Sequence, residues 1–263
     1  MGTRVCIFCG GAPRTREHVP PRWALDVLAA MEPPGDQGWE AVYEAGGLVE
    51  SDRSYPMGGR PEVVVNAVCG TCNSGWMAEM EGRVRTILTP MIQGRQTPIA
   101  QEQQIEIACW ASKTAMVLEF HERDTVIGTV EERARMASLR IPPDHHRVRL
   151  AARPTNEGGF RYTTLVAASD TRRGDVPDMF SSVIVLGHLA VHIWGGPGYP
   201  AASALTDVST STPTAVIIWP PTPRVVVWPP PEPMDESSPR AFVEEIFPWV
   251  SDSPELADWR DGR

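Results

Sequence analysis

The chain has 263 residues, of which 42% are hydrophobic, so it can bury a full core and is neither a fibre nor a disordered tail. No apolar run approaches the roughly 20 residues that span a bilayer, and the first residues lack a secretory pattern, which predicts a cytoplasmic protein without membrane contact. The net charge of −9 argues against broad, non-specific affinity for nucleic acid, although a local basic patch is compatible with it.

Four of the five cysteines form two C-x2-C pairs, CIFC at Cys6 and Cys9 and CGTC at Cys69 and Cys72. In a cytoplasmic chain, two such pairs favour four thiolates around one tetrahedral Zn²⁺, and disulfides are the alternative. Glycines beside the cysteines let the backbone turn tightly around the sulfurs. The fifth cysteine, Cys109, lies in an apolar helical pattern and is predicted to be a small buried side chain.

Residues 1–90 are predicted to form one zinc-braced domain. Within it, residues 32–60 are dense in Gly, Pro and acidic residues, which indicates an insertion across the surface with a short strand at 39–43. Residues 61–68 (PEVVVNAV) are rich in β-branched side chains and predict a strand that leads into the second cysteine pair.

An amphipathic helix is predicted from Asn73 onward. Apolar side chains recur there every four residues, at Trp76, Met80, Val84 and Leu88. Glu81 and Arg85 are spaced for an ion pair on the polar side, and Pro90 is predicted to end the helix.

Residues 91–232 are predicted to form an α+β accessory domain that recognises the substrate or a partner. A helix at 101–120 carries a buried stripe that includes Ser112, whose hydroxyl is expected to bond back to a carbonyl one turn earlier. Strands, expected to be mostly antiparallel, follow at 147–152, 160–168, 182–194, 215–219 and 225–228. Residues 233–263 predict a Pro-rich linker, a short helix and a disordered tail.

The order of the motifs CIFCG, TREHVPP and NAVCGTCNSGWM resembles the HNH endonuclease family over about residues 4–85. That family has a ββα-metal core, often braced by a zinc ion on two C-x2-C pairs, and a bacterial and phage subgroup has the same CNxxWM helix. The resemblance implies that His18 is the general base and that Glu17 and Asn73 hold a divalent cation. The resemblance also implies a positioning role for Asn66. The expected fold is α+β, a zinc-braced ββα-metal core followed by an α+β region with a mostly antiparallel sheet.

These residue types suit phosphodiester hydrolysis. An imidazole can accept a proton from water near neutral pH. Mg²⁺ or Mn²⁺ prefers oxygen ligands, which a carboxylate and an amide supply. Guanidinium groups pair well with phosphate, which makes Arg14, Arg16 and Arg22 candidate phosphate contacts.

Glu17 and His18 also have simpler interpretations. Adjacent residues of a strand point to opposite faces, so the two reach one site only if the chain bends at the prolines that follow. Otherwise Glu17 is a salt-bridge partner of Arg14 or Arg22, and His18 is a solvated loop residue.

Two other histidine pairs are interpreted as structural. His145 and His146 are adjacent in a Pro-rich loop, and neighbours of this kind rarely share a metal. His188 and His192 are placed on one predicted strand, about 13 Å apart, which is too far for one metal.

The leading hypothesis is a metal-dependent endonuclease that hydrolyses DNA, with a structural Zn²⁺ and a catalytic Mg²⁺ or Mn²⁺. One such site cuts one strand, so double-strand cleavage needs a homodimer or two events. The first alternative is a catalytically inactive, zinc-stapled module that binds nucleic acid or protein. The second is a nuclease that acts on RNA or only within a larger complex.

Overall fold

The computed structural model describes the chain over residues 5–11, 14–31, 40–45, 48–55, 63–121, 128–154, 159–167, 179–196 and 213–234. Buried apolar side chains from Cys6 to Trp228 form one continuous hydrophobic core across these ranges. The linker, short helix and tail predicted at 233–263 lie outside the described residues, apart from residues 233 and 234.

The described elements are helices and mostly antiparallel strands, which confirms the predicted α+β class. The helices are α1 (Arg22–Ala29), α2 (Gly70–Cys72), α3 (Ala78–Ile92), α4 (Gln101–Leu118) and α5 (Val130–Leu139), with one π-helical turn at Asn73–Met77 between α2 and α3. The strands are β1 (Arg14–Val19), β2 (Glu40–Ala45), β3 (Leu48–Tyr55), β4 (Val63–Cys69), β5 (Thr97–Ile99), β6 (Arg147–Ala152), β7 (Phe160–Ala167), β8 (Met179–Leu186), β9 (Leu189–Gly195), β10 (Ala215–Trp219) and β11 (Val226–Trp228).

Strands β1 and β4 pair antiparallel and form a two-stranded ribbon. Glu17 lies opposite Val65 and His18 opposite Val64, and the register shifts between Thr15 and Glu17. Strand β4 runs at Cys69 into α2, the π-helical turn and α3. Strands β1 and β4, together with the helical segment from α2 to α3, are called the ribbon–helix unit. Of its two strands, β4 was predicted from the β-branched run at 61–68.

A seven-stranded sheet in the order β10-β6-β9-β8-β7-β3-β2 makes up most of the remaining fold. Strand β3 pairs with β7 from Leu48 to Tyr55, and β2 pairs with β3. The segment predicted as a surface insertion therefore contributes two strands to this sheet, because the backbone groups of β3 find their partners on β7. The strand predicted at 39–43 corresponds to β2.

The single strand predicted at 182–194 is wrong, because the structure has the hairpin β8–β9 there. Gly187 turns the hairpin with a φ of +53°, and a Cβ at this position would lie 2.7 Å from the carbonyl oxygen of Ile92. The backbone N–H of His188 donates to the same carbonyl at 3.1 Å. The turn thus packs on the end of α3. His188 lies in this turn and His192 lies in β9, so the two histidines do not share one strand as predicted.

Helix α3 passes through Pro90 and ends at Ile92, so the predicted end at the proline is wrong. Met91 and Ile92 are fully buried, and their packing stabilises the last turn beyond the proline. Gly94, with a φ of +78°, then ends the helical path.

Helix α4 is buried on all sides over its second half, so the predicted single buried stripe is also wrong. It packs against α3 and β4 on the side of the ribbon–helix unit and against β6, β9 and β10 of the large sheet. The Ser112 hydroxyl does not bond back to the helix but pairs with Nδ1 of His146 at 3.0 Å. The hydroxyl that bonds back one turn is that of Thr114, which donates to the carbonyl of Trp110 at 2.8 Å.

His192 belongs to a buried polar chain within the large sheet. Arg149 Nε donates to Nδ1 of His192 at 3.0 Å, so the ring proton lies on Nε2, which contacts the Ser181 hydroxyl at 2.8 Å. Burial, reinforced by the charge of Arg149, lowers the pKa of His192 well below its usual value. Burial likewise lowers the pKa of His146. Both rings are therefore neutral in the folded chain.

Acid is expected to destabilise the fold through these two histidines. Their folded pKa values lie below the ordinary value of about 6.5, so below that pH the unfolded chain binds protons that the folded chain does not, and stability falls as pH falls. Each histidine adds a slope of up to about 1.4 kcal/mol per pH unit. Urea unfolding of wild type and His192→Gln between about pH 5.5 and about pH 8 measures how the free energy of unfolding changes with pH. We expect the variant to have the shallower slope, and equal slopes would contradict the assignment.

Candidate functional site

The two cysteine pairs meet beside the ribbon. The sulfur atoms of Cys6, Cys9, Cys69 and Cys72 all lie within 4.8 Å of one another, and all four are free thiols. The sulfurs of Cys9 and Cys69 are 3.6 Å apart, close to the edge of about 3.8 Å expected for a sulfur tetrahedron around Zn²⁺ with bonds of about 2.3 Å. The predicted four-cysteine cluster is confirmed as a group that can hold a metal such as zinc.

Contacts away from the sulfurs hold the first cysteine pair in place. The backbone N–H of Ile7 donates to the carbonyl of Ala67 in β4 at 3.0 Å. Phe8 meets Trp76 edge-on with ring centroids 5.1 Å apart. Gly10 turns the loop with a φ of +67°. The first pair is therefore attached both to the ribbon and to the helix that follows β4.

The thiols differ in how readily they ionise. Burial opposes ionisation of Cys69, but the backbone N–H of Cys72, 3.4 Å from its sulfur, and the neighbouring thiols lower the pKa of Cys69 to about 7. Burial raises the pKa of Cys72, and the nearby Trp76 side chain opposes this increase only in part. Zinc must displace the remaining thiol protons, so its binding releases protons and weakens in acid.

A cation lies one aromatic ring away from the cysteine cluster. Arg140, in the left-handed conformation at the end of α5, places its guanidinium 4.6 Å from the centre of the Trp76 ring. Four thiolates around one Zn²⁺ carry excess negative charge, so a stacked cation beside the indole that contacts Cys72 is favourable there.

Asn73 ties the start of the helix to β1. Its amide nitrogen donates to the Thr15 hydroxyl at 3.2 Å and, at the longer distance of 3.5 Å, to the carbonyl of Arg16. Both bonds use the amide nitrogen. The amide oxygen, which is the atom that would bind a cation, takes part in neither of them.

Glu17 points into the core, where its partner is Lys113 of α4. The lysine Nζ lies 3.1 Å from Glu17 Oε1 and 2.9 Å from Glu81 Oε1. Arg22 is not this partner, and the side chain of Arg14 lies outside the described residues. Glu81 of α3 pairs with Lys113 instead of the Arg85 that its spacing suggested. Burial alone would lower the pKa of Lys113, but the two carboxylates outweigh burial and raise it above the usual value. The lysine is therefore charged.

His18 lies on the other face of the ribbon. Its side chain is partly exposed, as is its cross-strand neighbour Val64, whereas Glu17 and Val65 are buried. Asn66 is exposed on this outer face. The structure thus places His18 and Asn66 on one face and Glu17 on the opposite one, as adjacent positions in a strand require. Asn73 meets the strand near its start, at Thr15.

The candidate phosphate contacts lie around the same strand. Arg16 and Arg22 are exposed, Arg16 in β1 and Arg22 at the start of α1. Arg14 is the first residue of β1, and its side chain lies outside the described residues.

Sequence reasoning missed Lys113 as a member of this site. Its partner Glu17 is 96 positions away, so no local pattern links the two residues. One signal was present, because Lys113 is the only lysine of the chain and stands in an apolar helix. A charged side chain in such a position has to find a partner inside the protein.

Comparison with known proteins gives no relative, since no family model, curated protein or solved structure matches the chain. Among the described helices, none is both long enough and apolar enough to cross a membrane.

Removing one cluster cysteine is expected to abolish zinc binding. Cys69→Ala breaks the sulfur tetrahedron, whereas the matched control Cys109→Ala removes a buried thiol of α4 outside the cluster. Metal analysis of protein purified without chelator is expected to find about one zinc per chain in wild type and in the control, and far less in Cys69→Ala. Equal zinc in both variants would exclude the four-cysteine site.

Lys113→Met is expected to lower the free energy of unfolding by roughly 3–5 kcal/mol, because it leaves the Glu17 carboxylate buried without its cation. The matched control Arg83→Met breaks the exposed pair with Glu106, and we expect a loss of less than about 1 kcal/mol. Urea unfolding measures both. The double variant Lys113→Met/Glu17→Gln is expected to recover part of the loss, and similar losses for Lys113→Met and Arg83→Met would contradict the buried pairing.

Proposed function

We propose that the chain is a zinc-braced, HNH-type endonuclease that hydrolyses DNA phosphodiester bonds. The observation that carries the proposal is the four-cysteine cluster, which attaches the helix beginning at Asn73 to the ribbon that bears His18. The order of two antiparallel strands and a helix, with the histidine on the first strand, agrees with the ββα arrangement that the sequence motifs imply.

In this proposal His18 is the general base. It is partly exposed on the outer face of the ribbon, where a phosphodiester can approach it, and its imidazole would take a proton from the attacking water. Arg16 and Arg22, with Arg14, would contact the phosphates on either side of the cut. Asn66 on the same outer face would help to position the backbone of the nucleic acid.

A catalytic Mg²⁺ or Mn²⁺ would be held through oxygen ligands, for which Asn73 offers an amide oxygen that neither of its hydrogen bonds uses. When bound, such an ion stabilises the charge on the phosphate and on the leaving 3′-oxygen. The Glu17 carboxylate is paired with Lys113, so it would have to leave that ammonium in order to bind the ion directly.

The pairing of Glu17 favours a second candidate function. A ribbon–helix unit whose carboxylate is already neutralised by a buried lysine would serve as a zinc-stapled module that binds nucleic acid or protein without cleaving it. The net charge of −9 also favours recognition of a partner other than a bare polyanion.

A plasmid-nicking assay with Mg²⁺ or Mn²⁺ tests the nuclease. We expect His18→Ala to lower the cleavage rate by about 10²- to 10⁴-fold, since it removes the proton acceptor. The matched control His145→Ala removes a histidine that contacts Glu132 of α5, far from the ribbon in the chain, and we expect it to cleave like wild type.

Two results would decide against the proposal. If zinc-loaded His18→Ala cleaves as fast as wild type, the mechanism is wrong. If zinc-loaded wild type cleaves neither DNA nor RNA with either ion, the binding module becomes the better account.

A further inference from the structure

The buried ammonium of Lys113 has the surroundings of a bridging metal ion. Its Nζ lies within hydrogen-bonding distance of one oxygen of Glu17, at 3.1 Å, and one oxygen of Glu81, at 2.9 Å. The three residues come from β1, α3 and α4. Two carboxylates from separate elements thus face one cation, and carboxylate oxygens are also ligands that divalent metal ions take.

The charges of this group also match a cation site. Two carboxylates share a single ammonium, which leaves one negative charge in excess. Over the residues that the structure describes, no further Lys, Arg or His is within 4.0 Å of either carboxylate. Lys113 is 1% exposed, while the Glu81 side chain is 19% exposed, so the group is closed at the lysine and open to solvent at Glu81.

The residue at position 113 is a lysine and not an arginine, which bears on how the two carboxylates are bound. Of the 24 Lys and Arg residues in the chain, Lys113 is the only lysine. A guanidinium is planar and pairs side by side with one carboxylate, whereas an ammonium is a compact point charge. Two carboxylates that approach from β1 and α3 can share such a compact charge, as they could share a metal ion.

We infer that Lys113 is a built-in cation: its ammonium stands at the position where a divalent ion would bridge Glu17 and Glu81. Glu17 is then a structural carboxylate of the ribbon and not a ligand of the catalytic ion. Only this last consequence rests on the proposed nuclease function, and it means that the ion of the proposed reaction is bound without Glu17. The arrangement of Lys113 itself stands whether or not the chain cleaves nucleic acid.

Binding of Mn²⁺ to zinc-loaded protein, followed by electron paramagnetic resonance, tests the inference without any cleavage assay. The first comparison is between wild type and Glu17→Gln. We expect equal Mn²⁺ affinity, within about twofold, because the carboxylate is already occupied by Lys113. A loss of about tenfold or more in Glu17→Gln would show that Glu17 binds the ion in the native protein and would overturn the inference.

The second comparison removes the ammonium. Lys113→Ala is expected to bind one Mn²⁺ more than wild type does, and Mn²⁺ is expected to raise the melting temperature of this variant more than that of wild type. In Lys113→Ala/Glu17→Gln the added site is expected to weaken about 10- to 100-fold. Equal Mn²⁺ binding by the single and the double variant would overturn the inference.

The two comparisons separate this inference from the proposed function. If Lys113→Ala does not fold even with Mn²⁺ present, the comparison of wild type with Glu17→Gln still decides between the two outcomes above. A wild-type protein that cuts no nucleic acid refutes the nuclease, and the comparison of Lys113→Ala with Lys113→Ala/Glu17→Gln still tests the arrangement of Lys113.

Discussion

The burial of the second half of helix α4 on all sides constrains the rest of the structure. The buried polar side chains of this helix cannot point to water, so each has to find a partner inside the protein. Lys113 bonds Glu17 of β1 and Glu81 of α3, Ser112 bonds His146 before β6, and Gln104 reaches the backbone of Thr222 and Arg224. Just after the helix, Glu119 receives a 2.7 Å bond from Arg133 of α5. The polar groups of one helix thereby set the positions of most elements around it.

The ribbon is consequently held from two directions. At the end of the ribbon where β1 begins, the cysteine cluster and Asn73 attach it to the beginning of the helix, and from within the core Lys113 attaches it to α4 and α3. The cysteine cluster can hold a metal such as zinc, and binding of the metal would depend on the ionisation of its thiols, whereas the contacts of Lys113 are made by the chain alone. Because the side chains of a strand alternate, fixing Glu17 inward also fixes His18 outward. The orientation of the candidate base is therefore determined by a residue 96 positions away.

Features with a local cause could be predicted from the sequence. The C-x2-C spacing identified the four cysteines of the cluster, and the strands at 147–152 and 215–219 agree with the structure because loops with prolines bound each short run on both sides. Features that depend on partners distant in the chain could not be predicted. The hairpin turn at Gly187 lies inside a mostly apolar run. The packing of Met91 and Ile92 outweighs the helix-breaking effect of Pro90, and the partner of Glu17 lies on a distant helix. Within the candidate site, the metal cluster was predictable, while the burial of Glu17 was not.

The path of the chain between the two halves of the ribbon affects how the metal cluster forms. After β1 the chain adds β2 and β3 to the end of the seven-stranded sheet and only then returns as β4 to pair with β1. Joining two distant points of a flexible chain has an entropic cost that grows with the length of the free loop. Once β3 is paired along β7, the sheet holds part of the chain between the two cysteine pairs, so less chain remains to be ordered than the separation of 60 residues between Cys9 and Cys69 implies. The large sheet thus lowers the entropy lost on closing the cluster, and the ribbon–helix unit cut out of this chain would lose that advantage.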